Sequence, residues 1–135
     1  MIKLIIGRKG SGKTKKLVDL VNEATAASLG NVVCIEKGDT LTYSVTQKAR
    51  LIDADAYGIS GYGEYYGMVS GIKAGNHDVT HIFGDATLRI GTRDYDELVA
   101  FLERIGKIDD VEFIFTVSAD KEELPKKLFD IAEII

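Results

Sequence analysis

Residues 4–17 read LIIGRKGSGKTKKL, an apolar run that gives way to glycines, lysines and a threonine. The apolar residues belong to MIKLII at the start of the chain, and this β-branched run predicts a buried strand that ends at Gly7. After Lys13 the apolar residues recur at helical spacing, at Leu17, Leu20, Val21 and Ala24. A strand, a flexible cationic loop and a helix are therefore predicted in succession, an arrangement that suits a bound polyanion.

The rest of the chain continues this alternation of strands and helices. Buried strands are predicted at 31–36 (NVVCIE), 79–86 (VTHIFGDA) and 111–118 (VEFIFTVS). Between the first two of these strands, the apolar residues Leu41, Tyr43 and Val45 alternate with polar ones. ARLID at 49–53 is typical of a further short strand. The pattern predicts one α/β domain over residues 1–135, a three-layer sandwich with helices on both faces of a mainly parallel sheet of four or five strands.

Several residues predict where the helices begin and end. Gly30 is expected to cap the C-terminus of the helix that begins near Lys13. Asp94 and Glu97 form a capping-box pair ahead of another helix, which Gly106 ends. A last helix is predicted to begin near Pro125, because proline is favoured in a first helical turn.

One segment carries evenly spaced glycines. GYGEYYGMVSGIKAG at 61–75 places them four residues apart, at Gly63, Gly67, Gly71 and Gly75. On a helix they would form one stripe, at ~1 kcal/mol each relative to alanine. We interpret the stripe as a face against which another backbone packs closely, or the segment as partly irregular. Glu64 and Lys73 exclude a membrane-embedded helix pair.

The charges are distributed unevenly. The formal net charge is −4, but residues 1–50 carry nine Lys or Arg against four Asp or Glu, and residues 51–135 carry eight against seventeen. The positive excess lies around the glycines that follow the first strand. A local focus of this kind suits a small phosphorylated ligand, whereas a nucleic acid would require a stripe of positive charge. We therefore expect no nucleic-acid partner.

The single cysteine and the lengths of the apolar runs bear on location. Cys34 lies within a predicted strand, so a buried, reduced thiol is expected. The opening apolar stretch is too short for a secretory signal, and no run approaches the ~20 apolar residues of a membrane span. These features predict a cytoplasmic protein with no membrane association.

Residues 7–14, GRKGSGKT, match the pattern G-x-x-x-x-G-K-[ST] at every fixed position. Such a loop wraps a phosphate with inward-pointing backbone N–H groups, and glycines are needed where a Cβ would clash or φ is unusual. The following helix directs its N-terminal N–H groups at the same phosphates. The candidate nucleotide-binding residues are Gly7, Arg8, Lys9, Gly10, Ser11, Gly12, Lys13, Thr14 and Lys15. Lys13 would reach the β- and γ-phosphates, and the Thr14 hydroxyl would bind Mg²⁺.

On these residues the chain resembles a P-loop NTPase. The resemblance implies a second element, an apolar run ending in an aspartate that holds Mg²⁺ through water, and VTHIFGD at 79–85 matches it with Asp85. It further implies a polar residue that senses the γ-phosphate at the end of a neighbouring strand, for which Thr116 and Ser118 are candidates. The ligand would be ATP or GTP with Mg²⁺, and Lys13 and Asp85 would be catalytic.

Hydrolysis also needs a group that orients or deprotonates water. Many ATPases of this type have a glutamate directly after the acidic aspartate, where this chain has Ala86. Recombinase-like members use a glutamate at the end of the second strand, and the resemblance gives that role to Glu36 rather than to Asp53 or Asp55. An ordinary solvated carboxylate at a strand end is the alternative interpretation of Glu36. Arg89 and Arg93 could steady the charge of the transition state, although exposed surface arginines are the alternative interpretation.

Two further resemblances bear on function. EKGDTLTY at 36–43 is similar to the equivalent segment of thymidine kinases, but Ala86 and the single cysteine depart from that family's glutamate and zinc ribbon. Over its whole length the chain also resembles small uncharacterised bacterial P-loop proteins, some of them labelled twitching-motility ATPases. The motility ATPases themselves are much longer. Slow hydrolysis, nucleotide sensing through a moving loop at 53–63, and small-molecule phosphotransfer therefore remain as alternatives.

Overall fold

A computed structural model describes residues 1–135, which form a sheet of six strands between two layers of helices. The strands are β1 (Ile2–Gly7), β2 (Asn31–Glu36), β3 (Arg50–Asp53), β4 (Val79–Gly84), β5 (Glu112–Ser118) and β6 (Glu133–Ile134). They lie in the order β3-β2-β4-β5-β1-β6, and every neighbouring pair is parallel. The predicted α/β class and the parallel sheet are confirmed, with two differences: the sheet has six strands, and it is parallel throughout.

The helices divide the core between the two faces of the sheet. They are α1 (Lys13–Ala27), α2 (Tyr62–Gly75), α3 (Thr87–Ile90), α4 (Tyr95–Ile105) and α5 (Leu128–Ile131). One hydrophobic cluster, with Leu17 and Val21, lies under α1, and a larger one, with Tyr65 and Leu98, lies under α2 and α4. Successive residues of β2 face opposite clusters, so this central strand is apolar almost throughout. No helix is long and apolar enough to span a bilayer.

The alternation at 41–45 does not form a strand. Leu41 and Val45 are buried under α1, but Tyr43 is fully exposed, and the N–H groups of Ser44 and Val45 both donate to the Leu41 carbonyl. The segment is a series of turns. Residues four apart in such turns can share a face, so alternation over a few residues did not distinguish it from a strand.

Gly30 does not cap α1, and this prediction is wrong. The helix ends at Ala27, and its C-cap is Ser28, whose N–H donates to the Ala24 carbonyl. A Cβ on Gly30 would lie 2.2 Å from the carbonyl oxygen of Asp78, so glycine is needed there because the chain entering β4 passes so close.

The glycine stripe of α2 faces solvent, which contradicts the predicted close packing. Gly63, Gly67, Gly71 and Gly75 are all exposed, and a Cβ added at any of them would meet nothing within 4 Å. The segment is nevertheless a regular helix of 14 residues. Its packed face carries Tyr65 and Val69, which anchor it to the sheet and to α4.

The ends of the later helices follow the predictions in part. Asp94 caps α4 by accepting from the N–H groups of Asp96 and Glu97, and Gly106 follows its last turn. Glu97 accepts from the Thr92 hydroxyl and not from the Asp94 N–H, so the capping box is only half formed. The last helix begins at Leu128, three residues after Pro125, and is a single turn.

Candidate functional site

The carboxyl ends of three adjacent strands open into a cavity of about 1030 Å³. Gly7, at the end of β1, pairs with Ser118 on β5, and Gly84, at the end of β4, pairs with Phe115 on β5. The segments that follow β1, β4 and β5 consequently meet around one space, as expected for an open parallel α/β sheet. Most of the residues predicted from sequence as a site lie along its walls.

The loop at residues 7–14, called the glycine loop below, has the backbone that its sequence predicts. Gly10 and Gly12 have φ values of 83° and 88°, in the left-handed region that favours glycine. A Cβ on Gly7 would lie 2.5 Å from the Ser11 hydroxyl oxygen, so glycine at the start of the loop lets that hydroxyl pack against the backbone. The three glycines thus permit a tight reversal between β1 and α1.

This reversal leaves a group of backbone donors unpaired in residues that line the cavity at the start of α1. The N–H groups of Gly10, Gly12, Lys13, Thr14 and Lys15 donate to no protein atom, and the first intrahelical bond runs from Lys16 to the Gly12 carbonyl. Unpaired N–H groups at the start of a 15-residue helix carry partial positive charge and bind anions. These N–H groups are therefore free to donate to a ligand outside the protein.

Lys13 adds a buried cation to this group. Its side chain is 8% exposed, and its ammonium donates to the Arg8 carbonyl at 2.7 Å and to the Ser11 hydroxyl at 3.5 Å. Burial lowers the pKa of Lys13, and the nearby Asp85 carboxylate opposes that shift. Two neutral oxygens accept from two of its three N–H donors, and no carboxylate pairs with it, so its charge is available to an anion on the loop.

Asp85 lies at the centre of a small hydrogen-bonded network. Thr14 Oγ1 lies 3.2 Å from Oδ1 and 3.1 Å from Oδ2 of Asp85, and Thr116 donates to Oδ1 at 2.7 Å. The Ala86 N–H donates to Thr116 Oγ1 at 3.0 Å, which orients that hydroxyl towards the carboxylate. Ala86 itself has a φ of 53°, an unusual conformation for alanine at the turn that follows Asp85.

Thr14 and Asp85 offer the ligand chemistry that Mg²⁺ prefers. Mg²⁺ takes oxygen ligands, keeps several waters, and is commonly held by one or two carboxylates together with substrate phosphates. One hydroxyl and one carboxylate converge here beside the unpaired N–H groups of the glycine loop. No group of three or more His, Cys, Asp or Glu side chains forms a metal cage in the protein. The donor set therefore fits Mg²⁺ bound jointly with a phosphorylated ligand.

Glu36 is not brought into this cavity. It ends β2 with 2% exposure, and its carboxylate accepts from the Thr40 N–H, the Thr40 hydroxyl and the Leu41 N–H. Burial raises its pKa, although these three hydrogen bonds oppose the shift. Both carboxylate oxygens are engaged in the turn after β2, so Glu36 is placed to stabilise that turn.

The remaining polar candidates, on β5 and after β4, also line the cavity. Thr116 binds Asp85, and the Ser118 carbonyl accepts from Arg93 at 3.2 Å. Arg89 also borders the cavity. Cys34 is fully buried, as predicted, on the α1 face of β2, and burial raises the pKa of its thiol to about 12.

Asp120 and Glu123 also line the cavity, and sequence reasoning missed them. Arg8 Nε donates to Asp120 at 2.8 Å, an ion pair that lowers the pKa of the carboxyl and ties the glycine loop to the segment after β5. Asp120 and Glu123 form a reciprocal capping box. The D-x-x-E spacing was visible in the sequence and could have predicted the cap, but not its partner Arg8.

Packing explains why glycine occupies position 84, where the predicted acidic strand would otherwise carry an apolar side chain. A Cβ there would lie 2.2 Å from Tyr65 Oη and 2.6 Å from Phe115 Cδ1. The Tyr65 hydroxyl thus occupies the place of a side chain one residue before Asp85.

No protein-family model matches the sequence, and a search of curated proteins finds no match either.

Proposed function

We propose that this chain has a P-loop NTPase fold, binds the phosphates of ATP or GTP together with Mg²⁺, and hydrolyses the nucleotide slowly. The observation that carries the proposal is the meeting of three features at one cavity. These are the unpaired N–H groups of the glycine loop, the buried Lys13, and the contact between Thr14 and Asp85. Each would bind part of a Mg²⁺–triphosphate. The first two features and Thr14 belong to one loop and the start of α1, and Asp85 joins them from the end of β4.

The roles of the residues follow from their surroundings. The backbone N–H groups from Gly10 to Lys15 would surround the phosphates, and Lys13 would transfer its hydrogen bonds from Arg8 and Ser11 to phosphate oxygens. Thr14 and Asp85 would hold Mg²⁺, with Thr116 orienting the carboxylate. The bound ion would neutralise charge that develops on the phosphate oxygens during transfer.

Slow turnover is expected because no free base faces the cavity. Glu36 is occupied by Thr40 and Leu41, and Ala86 stands where many related ATPases carry a glutamate. For Glu36 to orient water, its turn would first have to release the carboxylate. Positioning and electrostatic stabilisation would then supply most of the catalysis.

The test is isothermal titration of the protein with ATP and with GTP in Mg²⁺, compared with Lys13→Ala and Lys16→Ala. Lys16 is an exposed lysine on the same helix that does not border the cavity, so it controls for loss of charge. Binding should be lost in Lys13→Ala and retained in Lys16→Ala. If the wild-type protein binds neither nucleotide, or if both variants weaken binding equally, the proposal fails. Phosphate release by the wild type then measures turnover.

A second candidate, a nucleotide-sensing module, is favoured by the contacts of the turn that Glu36 stabilises. Lys37 pairs with Asp55 at 2.6 Å, and the Gly38 N–H donates to Asp53 at 2.8 Å. A change at Glu36 would therefore reach residues 53–63. Nucleotide-dependent protection of 53–63 in hydrogen exchange, without phosphate release, would favour sensing. Unchanged exchange there would count against it.

A further inference from the structure

Two arginines of the cavity have no role in the proposed nucleotide site. Arg89 makes no hydrogen bond or ion pair through its side chain, and Arg93 makes one hydrogen bond, from Nη2 to the Ser118 carbonyl at 3.2 Å. An arginine has five N–H donors, so nearly all of this capacity is unused. Both side chains are exposed to the cavity and carry full positive charge.

The arginines approach the cavity from the face of the sheet opposite the glycine loop. Arg89 lies on α3, which packs against β5 over the larger hydrophobic cluster, whereas the glycine loop leads into α1 on the other face. The segment that carries Arg93 is held in place, because Tyr62 Oη donates to the Thr92 carbonyl at 2.7 Å and Gly61 N–H donates to the Ile90 carbonyl. The cavity therefore has two cationic walls. The glycine loop forms one, and the segment with Arg89 and Arg93, on the other face of the sheet, forms the second.

No carboxylate of the cavity neutralises Arg89 or Arg93. Asp85 is engaged by Thr14 and Thr116, and Asp120 is paired with Arg8. Glu123 accepts from the Asp120 N–H through one oxygen and from Tyr95 Oη through the other. The carboxylates of the cavity thus accept from other groups, and neither Arg89 nor Arg93 forms an ion pair within the protein.

We propose that Arg89 and Arg93 form a second anion subsite, which binds the phosphate or carboxylate group of a small molecule while a nucleotide occupies the glycine loop. Arginine presents paired donors that match both groups. The bond from Arg93 to the Ser118 carbonyl holds its guanidinium in place and leaves its other donors free. Ala86, Leu88 and Ala119 are the only apolar residues of the cavity, so the molecule is small and polar. The nucleotide in the neighbouring glycine loop rests on the proposed function, whereas the binding of an anion by the two arginines does not depend on it.

The test follows the arginine Nε–Hε signals by ¹⁵N NMR during titration with inorganic phosphate, and separately with acetate. The protein is first saturated with Mg²⁺ and a non-hydrolysable ATP analogue, so that the glycine loop is filled. Arg89 and Arg93 signals should then shift together and saturate, and the more effective of the two anions identifies the group that is bound. The Arg50 signal is the internal control, because Arg50 is also exposed and also donates to a backbone carbonyl, at Leu51, away from the cavity.

Variants sharpen the result. Arg89→Gln and Arg93→Gln should each weaken phosphate binding at the remaining arginine at least tenfold, and both should still bind the analogue. The proposal is overturned if Arg50 responds as strongly as Arg89 and Arg93, or if these two respond to phosphate only before the analogue is added. The second result would assign both arginines to the nucleotide's own phosphates. If the analogue never binds, the nucleotide proposal fails, and the Lys13→Ala variant is titrated with phosphate to test the subsite alone. Shifts of the Arg89 and Arg93 signals in that variant would support the subsite, and their absence would overturn it.

Discussion

Thr14 and Asp85 are 71 positions apart in the sequence, yet Thr14 Oγ1 lies 3.1 Å from Asp85 Oδ2. The contact exists because β1, which leads to Thr14, and β4, which leads to Asp85, are both paired with β5. Thr116 on β5 completes the arrangement by donating to the same carboxylate. Parallel strands thus bring together residues that local sequence keeps apart.

The first prediction concerns magnesium. Asp85→Asn should weaken binding of Mg²⁺–nucleotide about 10- to 100-fold, as expected for a residue that holds the ion through water. Binding without Mg²⁺ should change little, because the backbone N–H groups and Lys13 remain. Titrations with Mg²⁺ and with a chelator measure both. Asp109→Asn, at an exposed aspartate outside the cavity, is the control. Equal losses with and without Mg²⁺ would contradict the metal role.

The second prediction concerns Gly84. Gly84→Ala should lower the free energy of unfolding by about 1–3 kcal/mol, because its Cβ would overlap the Tyr65 hydroxyl and the Phe115 ring in a packed core. Urea denaturation measures the change. A loss below the error of the extrapolation would show that the aromatic rings move aside freely.

The third prediction concerns the Tyr65 hydroxyl, which is fully buried and has no hydrogen-bond partner. Burial also raises the pKa of Tyr65. Tyr65→Phe should raise the free energy of unfolding by about 1 kcal/mol, because an unpaired buried polar group is unfavourable. In this background Gly84→Ala should destabilise less, and a double-mutant cycle measures the difference. A destabilised Tyr65→Phe would indicate that the hydroxyl has a partner, such as a water.

The fourth prediction concerns the exposed stripe of α2. Gly67→Ala and Gly71→Ala should each raise the free energy of unfolding by about 0.5–1 kcal/mol, since a Cβ meets nothing and alanine is the better helix former. Thermal and urea unfolding provide the measurement, and Gly84→Ala is the matched glycine with the opposite expectation. Destabilisation at either position would mean that the stripe packs against something in solution.

The fifth prediction concerns pH. Burial raises the pKa of Glu36 in the folded state, so the folded chain holds this proton more tightly than the unfolded chain. The contribution of Glu36 to stability therefore falls as pH rises from the ordinary glutamate range, about 4.3, through the raised pKa. Relative to wild type, Glu36→Gln should gain stability with pH across this window. The exposed Glu23→Gln should show no such trend, and identical trends would refute the shift.

Local sequence was sufficient where the physical requirement is local. The glycine loop, the strand before it and the helix after it were predictable, because the left-handed angles of Gly10 and Gly12 and the start of α1 depend on neighbouring residues. The Asp94 cap was predictable for the same reason. The evenly spaced glycines of α2 led to a wrong prediction of close packing. Their spacing shows that they share one helix face, but it does not show whether another element covers that face.

The sequence by itself determined an α/β chain with a cationic glycine loop between its first strand and helix, since apolar periodicity and glycine conformation are properties of short segments. Only the tertiary structure decided which distant groups meet. It joined Thr14, Asp85 and Thr116, paired Arg8 with Asp120, and kept Glu36 in its own turn. Strand order and side-chain competition for hydrogen bonds set these contacts, and neither is encoded in the spacing of residues along the chain.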